Sequence, residues 1–274
     1  MVNAAEKLVS RARQGAFLEV LPELVELAGR RGGHRNPVWE ATAAAIQIMF
    51  WQDRFAEAAD LAAALIAADG PRGGELCDQS VPFRSAFLAA ELHAGVPAGP
   101  RLLAASEQVP EGRVLGTDLR WTAEQRATRP IEDLLPNPGD WGGPVRPAAS
   151  PTAAALLTRD PGSLTDRERR RLWDALAAGN DFAAADRLAR SSGETPPQFA
   201  VCTWMAGWYA TTGETEAGER MLIAAHGRWW PFAKWDALPD PPVLQPTLRP
   251  VVTDRVREHY LTRPIGPEAR SDRT

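Results

Sequence analysis

The chain has 274 residues, 44% of them hydrophobic and 24% charged, and a formal net charge of −4. That balance belongs to a folded protein with a sizeable core, and so small a charge gives no bulk attraction for nucleic acid or an anionic membrane. No stretch reaches the roughly 18 apolar residues of a membrane span, and Met1–Lys7 leads into an amphipathic helix instead of an apolar leader, so a cytoplasmic protein is expected.

Residues 3–14 read as a helix with Leu8 and Val9 inward. Residues 17–30 form its partner, where Phe17, Val20, Leu21, Leu24, Val25 and Leu27 repeat near 3.6 residues. Pro22 is placed in that helix's first turn, where its missing N–H costs little. Asn36 is the predicted cap of a third helix, with Pro37 at its first position and Trp39, Ala43, Ile46, Met49 and Phe50 on its apolar face. Phe55, Ala58, Leu61, Ala62 and Leu65 mark a fourth. Ser80 starts a fifth through Phe83, Phe87, Leu88 and Leu92, with a shorter partner near 100–109.

The register then breaks. Arg113–Trp121 reads as a short β-like run, and residues 136–150 are rich in Pro and Gly, so 110–150 is expected to be an irregular connection. Helices resume near 152–158. Thr165 with Glu168 forms a capping-box pattern, Phe182–Ala189 supplies the partner helix, and 197–212 with 215–227 closes the last pair. From Trp229 to Pro250 repeated prolines exclude long helices, and a short helix is expected at 254–262 behind Thr253. The resulting segments are 1–109, 110–150, 151–228 and 229–274.

One turn recurs between these helices. Gln14-Gly15-Ala16-Phe17, Gln52-Asp53-Arg54-Phe55 and Gly179-Asn180-Asp181-Phe182 each put a polar or Gly turn before an aromatic anchor. Thr212-Gly213-Glu214-Thr215 is a copy without the aromatic. An all-α chain of α-α hairpins follows from this pattern. The hairpins resemble the tetratricopeptide-repeat (TPR-like) solenoid family. Within Cys202–Ala225, small Ala206, aromatic Tyr209, turn Gly213 and small Gly218 and Ala225 fall where that family's pattern wants them. Phe55 with Ala58 and Phe182 with Ala185 match its second helix. The resemblance implies a superhelix in two halves that binds peptides or proteins on a concave face. It implies no particular binding residue.

The chemistry-bearing residues give no catalytic or metal signature. His34, His93, His226 and His259 are scattered, and Cys77 and Cys202 lack metal-ligand spacing and read as reduced thiols. The Gly-rich stretches neither follow a strand nor open a helix, so no phosphate cradle, cofactor or metal is expected. Lys7 and Lys234 are the only lysines, and the preponderance of Arg reads as GC-rich coding bias; Arg167, Arg169, Arg170 and Arg171 read as a solvated face that Asp166 and Glu168 partly neutralise, or as a contact for an acidic or phosphorylated partner. The aromatic residues near the C-terminus stand out. Trp204 and Trp208 share a helix face, and Trp229, Trp230, Phe232 and Trp235 follow closely. They read either as a core that caps the last hairpin or as an aromatic pocket for a peptide or cation, with Arg228 and Arg249 supplying charge.

The leading functional expectation is therefore a non-catalytic adaptor that binds a protein partner, with a regulator or an immunity-like inhibitor as specific forms. An enzyme with a pocket near Trp121, Asp140 and Trp141, between the two halves, is a second reading. Homo-oligomeric self-assembly is a third.

Overall fold

The four predicted turns share one backbone device. In the computed structural model, which describes residues 3–30, 35–73, 80–136, 155–159 and 163–265, the second residue of each turn has positive φ: 98° at Gly15, 58° at Asp53, 51° at Asn180 and 78° at Gly213. Gly takes that conformation without a Cβ clash, and Asp and Asn are the side chains that tolerate it best. In three of the turns the next residue donates its N–H five residues back: Arg54 to the Met49 carbonyl at 3.0 Å, Asp181 to Leu176 at 2.9 Å and Glu214 to Tyr209 at 2.9 Å. That bond satisfies a carbonyl stranded at the helix end and reverses the chain. At Gly15 the reversal is instead a kink inside a π-helical turn, Ala12–Ala16.

The helices are α1 (Ala4–Arg11), α2 (Phe17–Ala28), α3 (Arg35–Trp51), α4 (Phe55–Gly73), α5 (Ser80–Ala94), α6 (Ala98–Glu107), α7 (Val114–Arg126), α8 (Asp166–Ala178), α9 (Phe182–Ser192), α10 (Phe199–Thr212), α11 (Thr215–His226) and α12 (Asp254–Thr262). No strand occurs among the described residues, so the fold is all-α. The chain divides into two compact units. Among the described residues the first contains α1–α7, residues 230–246 and residues 257–265; the second contains α8–α11 and residues 247–256.

In the first unit consecutive helices pack together, and α1 also packs on α3, α3 on α5, α5 on α7 and α4 on α6. Helix α3 is the centre: every residue from Val38 to Trp51 is buried. A helix buried on all sides has no polar face to give to water, yet this one carries Glu40, Thr42 and Gln47. In the second unit α8 packs on α9 and α10, and α10 on α11. The predicted capping box is present there: Glu168 N–H donates to Thr165 Oγ1, and Glu168 Oε2 accepts from Thr165 N–H at 2.8 Å. That backbone N–H, with help from the Thr165 hydroxyl and Arg159, holds the Glu168 carboxyl down to about 2.

Several expectations are corrected. Arg113–Trp121 is not β-like but most of α7, where Leu115, Leu119 and Thr122 are buried at helical spacing and Gly116 admits the Val109 side chain. The irregular segment 110–150 therefore begins with a helix; residues 137–150 lie outside the described residues. Helix α3 starts at Arg35, ahead of the predicted cap Asn36. Pro22 sits beyond the first turn of α2, and the Leu18 carbonyl it leaves without a donor belongs to a residue 47% exposed, within reach of water. Thr253 does not cap α12 through its hydroxyl, which donates to Glu219 Oε1 at 2.6 Å.

The C-terminal extension is the largest departure. Of the described extension, only Trp229 and residues 247–256 belong to the unit of the last hairpin, where Leu248 meets Gly207 and Val251 meets Gly218. A Cβ on Gly218 would lie 2.3 Å from Val251 Cγ1 and 2.8 Å from its Cβ. Rotating Val251 cannot relieve the second contact, so Gly218→Ala should cost about 1–3 kcal/mol in urea unfolding; a neutral result would mean that Val251 does not close this hairpin. The two aromatic anchors also differ. Phe55 is 2% exposed, whereas Phe182 is half-buried. Phe55→Ala should cost about 3–5 kcal/mol and Phe182→Ala about 1–2 kcal/mol, a difference that the same unfolding curves measure.

Candidate functional site

The predicted aromatic residues fall in both units. Trp204, Trp208, Trp229, Arg228 and Arg249 belong to the second unit, and Trp230 and Trp235 to the first. On α10, Trp204 stacks on Phe182 with centroids 4.1 Å apart, and Trp208 lies 5.6 Å from the same ring. The Trp204 indole N–H donates to Asn180 Oδ1 at 3.2 Å, so the pair braces the turn that Asn180 makes. Trp229 is only 2% exposed, and its indole N–H has no hydrogen-bond partner. Arg228 donates to the Thr195 hydroxyl and the Ala224 carbonyl, each at 2.6 Å, which ties the α9–α10 loop to the end of α11. Arg249 is half-buried on the turn Pro246–Val251. Stacking and loop closure account for Trp204, Trp208 and Arg228.

The remaining predicted residues stand on a different base. Residues 230–246 contain Pro231, Pro239, Pro241 and Pro242, which donate no backbone hydrogen bond, and their carbonyls need donors from elsewhere. Helices of the first unit supply them. Arg13, 8% exposed, donates through Nε and Nη2 to the Asp236 carbonyl at 2.9 and 2.7 Å, and through Nη2 to the Ala233 and Lys234 carbonyls, each at 3.1 Å. From α3, Gln47 Oε1 accepts the Ala237 N–H at 2.7 Å, and the Trp51 indole donates to the Pro239 carbonyl at 2.9 Å. Lys234 reaches back to Glu6 and to buried Glu40, whose other oxygen accepts from Asn3 Nδ2 at 2.7 Å. The hydrogen bond from Lys234 lowers the Glu6 pKa.

Two carboxyls are buried in this seam. Asp236 accepts from the Ala233 N–H at 2.7 Å and from Gln47 Nε2 at 3.3 Å. Burial raises its pKa, while those two bonds and the Arg13 charge pull the other way. Asp240 is fully buried, and neither of its oxygens has a hydrogen-bond partner. Burial raises its pKa well above the usual range; the charge of Asp236 adds to the rise, and the nearby Gln47 amide opposes it. Groups so enclosed cannot meet a substrate. They serve as a clamp, and the clamp fixes the base of a short aromatic tip: Phe232 is 83% exposed and Trp230 56% exposed.

The other places where chemistry was sought are quiet. Cys202 is buried, its thiol donates to the Pro196 carbonyl at 3.2 Å, and burial pushes its pKa up to about 12. Cys77 lies outside the described residues. No group of three His, Cys, Asp or Glu side chains among the described residues could hold a metal, and no helix among them is long and apolar enough to cross a membrane. Of the residues expected at a pocket, Asp140 and Trp141 lie outside the described residues. Trp121 lines an open groove of 460 Å³ within the first unit, beside Val109, Glu111, Arg120 and Glu124.

Comparison of the chain with family models, with curated proteins and with solved structures yields no match in any of the three.

Sequence reasoning named Trp230 and Trp235 but not Arg13, Gln47, Asp236 or Asp240. The one local signal was two acids four residues apart in an otherwise apolar, Pro-rich stretch, Trp235-Asp236-Ala237-Leu238-Pro239-Asp240. Replacing Arg13 by Met keeps bulk but strands the carbonyls of Ala233, Lys234 and Asp236. It should cost about 2–4 kcal/mol in guanidinium unfolding; a change under about 0.5 kcal/mol, the range of an ordinary surface substitution, would show that the clamp contributes nothing.

Proposed function

We propose that the chain is a non-catalytic scaffold of TPR-like helical hairpins that binds a protein partner through the aromatic tip Trp230–Phe232. The observation that carries this reading is Phe232, 83% exposed on a backbone held by four hydrogen bonds from one buried arginine. Folding leaves scattered apolar residues on any surface, so exposure alone says little. A large aromatic exposed on a rigid base is different, because its partner need not pay to order it. The packing of consecutive helices on one another, and of α1 on α3, α3 on α5, α5 on α7, α4 on α6 and α8 on α10, also supports a hairpin solenoid.

The test is affinity capture from the source cells with the tagged wild type and with Phe232→Ala, followed by mass spectrometry of stoichiometric species. One protein partner should be retained by the wild type. Truncating a central aromatic anchor removes about 2 kcal/mol or more of binding, a fall in affinity of about thirtyfold, while thermal stability stays within the range of a surface substitution. A wild type that emerges alone or carrying a small molecule, or a variant that holds the partner equally well, would sink the reading.

A further inference from the structure

The clamp contains a contradiction. Asp240 is enclosed on all sides with both oxygens lacking a hydrogen-bond partner, and the nearest charge acting on it is another carboxylate, Asp236, four residues earlier. An ionised carboxylate cannot be left so without partners, whereas a neutral carboxylic acid can. The surrounding cations are engaged elsewhere. Arg13 donates to the backbone carbonyls of Ala233, Lys234 and Asp236. Lys234 is paired with Glu6 and Glu40, and Arg257 of α12 with Asp53 at 3.0 Å. The other titratable groups on the elements packed here are His93 of α5, whose Nε2 lies 3.3 Å from the Leu244 carbonyl, and Tyr260 of α12, which stacks on Trp51 at 4.0 Å.

We propose that residues 230–246 form a proton-operated latch on the helices of the first unit, closed while Asp240 carries its proton and released when that proton is lost. The sign follows from counting protons. In the released state the Asp240 carboxyl meets water and titrates in the usual carboxylate range. In the closed state it keeps its proton to higher pH. Between those two limits the closed state binds one proton more, so closure is tightest in acid and weakens as pH rises. One proton permits a change of at most about tenfold in the opening constant per pH unit. Release would uncover Gln47 and Trp51 of α3 and unseat the base of the aromatic tip.

Hydrogen exchange with mass spectrometry on the full chain, between pH 4.5 and 8, tests this without any partner. The amides of Ala233, Val243 and Leu244 are hydrogen-bonded within the closed segment and that of Ala237 to Gln47 of α3, so all four report on closure. After correction for the intrinsic pH dependence of exchange, protection of peptides from 230–246 should fall tenfold or more as pH rises, while peptides from α4 keep theirs. Asp240→Asn keeps the size of the side chain and removes its charge, so the segment should be more protected at pH 8 and lose the part of the slope that Asp240 supplies. Any slope contributed by His93, or by Asp236, whose pKa burial also raises, would persist in that variant and is thereby separated. Three results would overturn the proposal: a fall of less than tenfold in the wild type, an unchanged slope in Asp240→Asn, or an equal fall in α4.

Discussion

The first unit depends on how a proline-rich segment is buried against helices. Residues 230–246 satisfy only part of their own backbone, at the turn Ala233–Asp236 and over Asp240–Gln245, because each proline removes a donor and breaks any regular ladder. Side chains from α3 and from the kink before α2 replace the missing partners. Arg13 alone serves three carbonyls, and Gln47 and Trp51 serve two further backbone groups. Arginine suits this position: its planar fork stays charged and reaches several acceptors at once, where a lysine ammonium is a compact point charge. The chain has only two lysines against its many arginines, so composition says nothing about which arginine matters. Burial does. Arg13 is 8% exposed, whereas most of the ion pairs on the helix surfaces are half in water, where such pairs contribute about 0–1 kcal/mol each.

The same seam carries the chain's main electrostatic liability. A single buried, unpaired charge costs several kcal/mol, comparable with the whole net stability of about 5–15 kcal/mol expected for a domain. Burial in this seam therefore favours the neutral form of Asp240. Asp236 escapes that fate in part because Ala233, Gln47 and Arg13 all favour its charged form. Two carboxyls four residues apart are thus driven in different degrees by their surroundings. A hydrophobic residue at Asp240 would pack there without this penalty, so retention of the acid is an energetic oddity that stability alone does not explain.

What the sequence shows well is local. The four hairpin turns were legible because each needs a Gly, Asn or Asp at its positive-φ position within four residues of an aromatic or Thr. The capping box at Thr165 and the span of α12 were legible for the same reason. The α7 error came from a short window: Val114 and Leu115 look like a strand start, and the helical spacing of Leu115, Leu119 and Thr122 emerges only over two turns. Phe55 and Phe182 look alike in sequence, yet one is enclosed by α5 and the other forms a half-exposed stack. The clamp was invisible because its partners are 188 to 223 residues apart along the chain. No local pattern encodes such a pairing, and an Arg in a Gly-containing turn looks like any solvated side chain.

The clamp and the aromatic tip are linked by chain entropy. If residues 230–236 were free in the unbound protein, fixing them on binding would cost about 1–2 kcal/mol per residue in backbone entropy alone, enough to erase the contribution of a strong aromatic anchor. Held by Arg13 at Ala233, Lys234 and Asp236, the tip has already lost that freedom during folding. If the proposed tip and latch both hold, affinity at Phe232 is conditional on the state of Asp240, although that carboxyl lies buried. Under that proposal, a proton taken from Asp240 would restore the freedom of the segment and weaken binding without changing any residue of the tip itself. Coupling of this kind requires no second ligand site, only a segment whose order is worth a few kcal/mol and a buried group whose charge decides it.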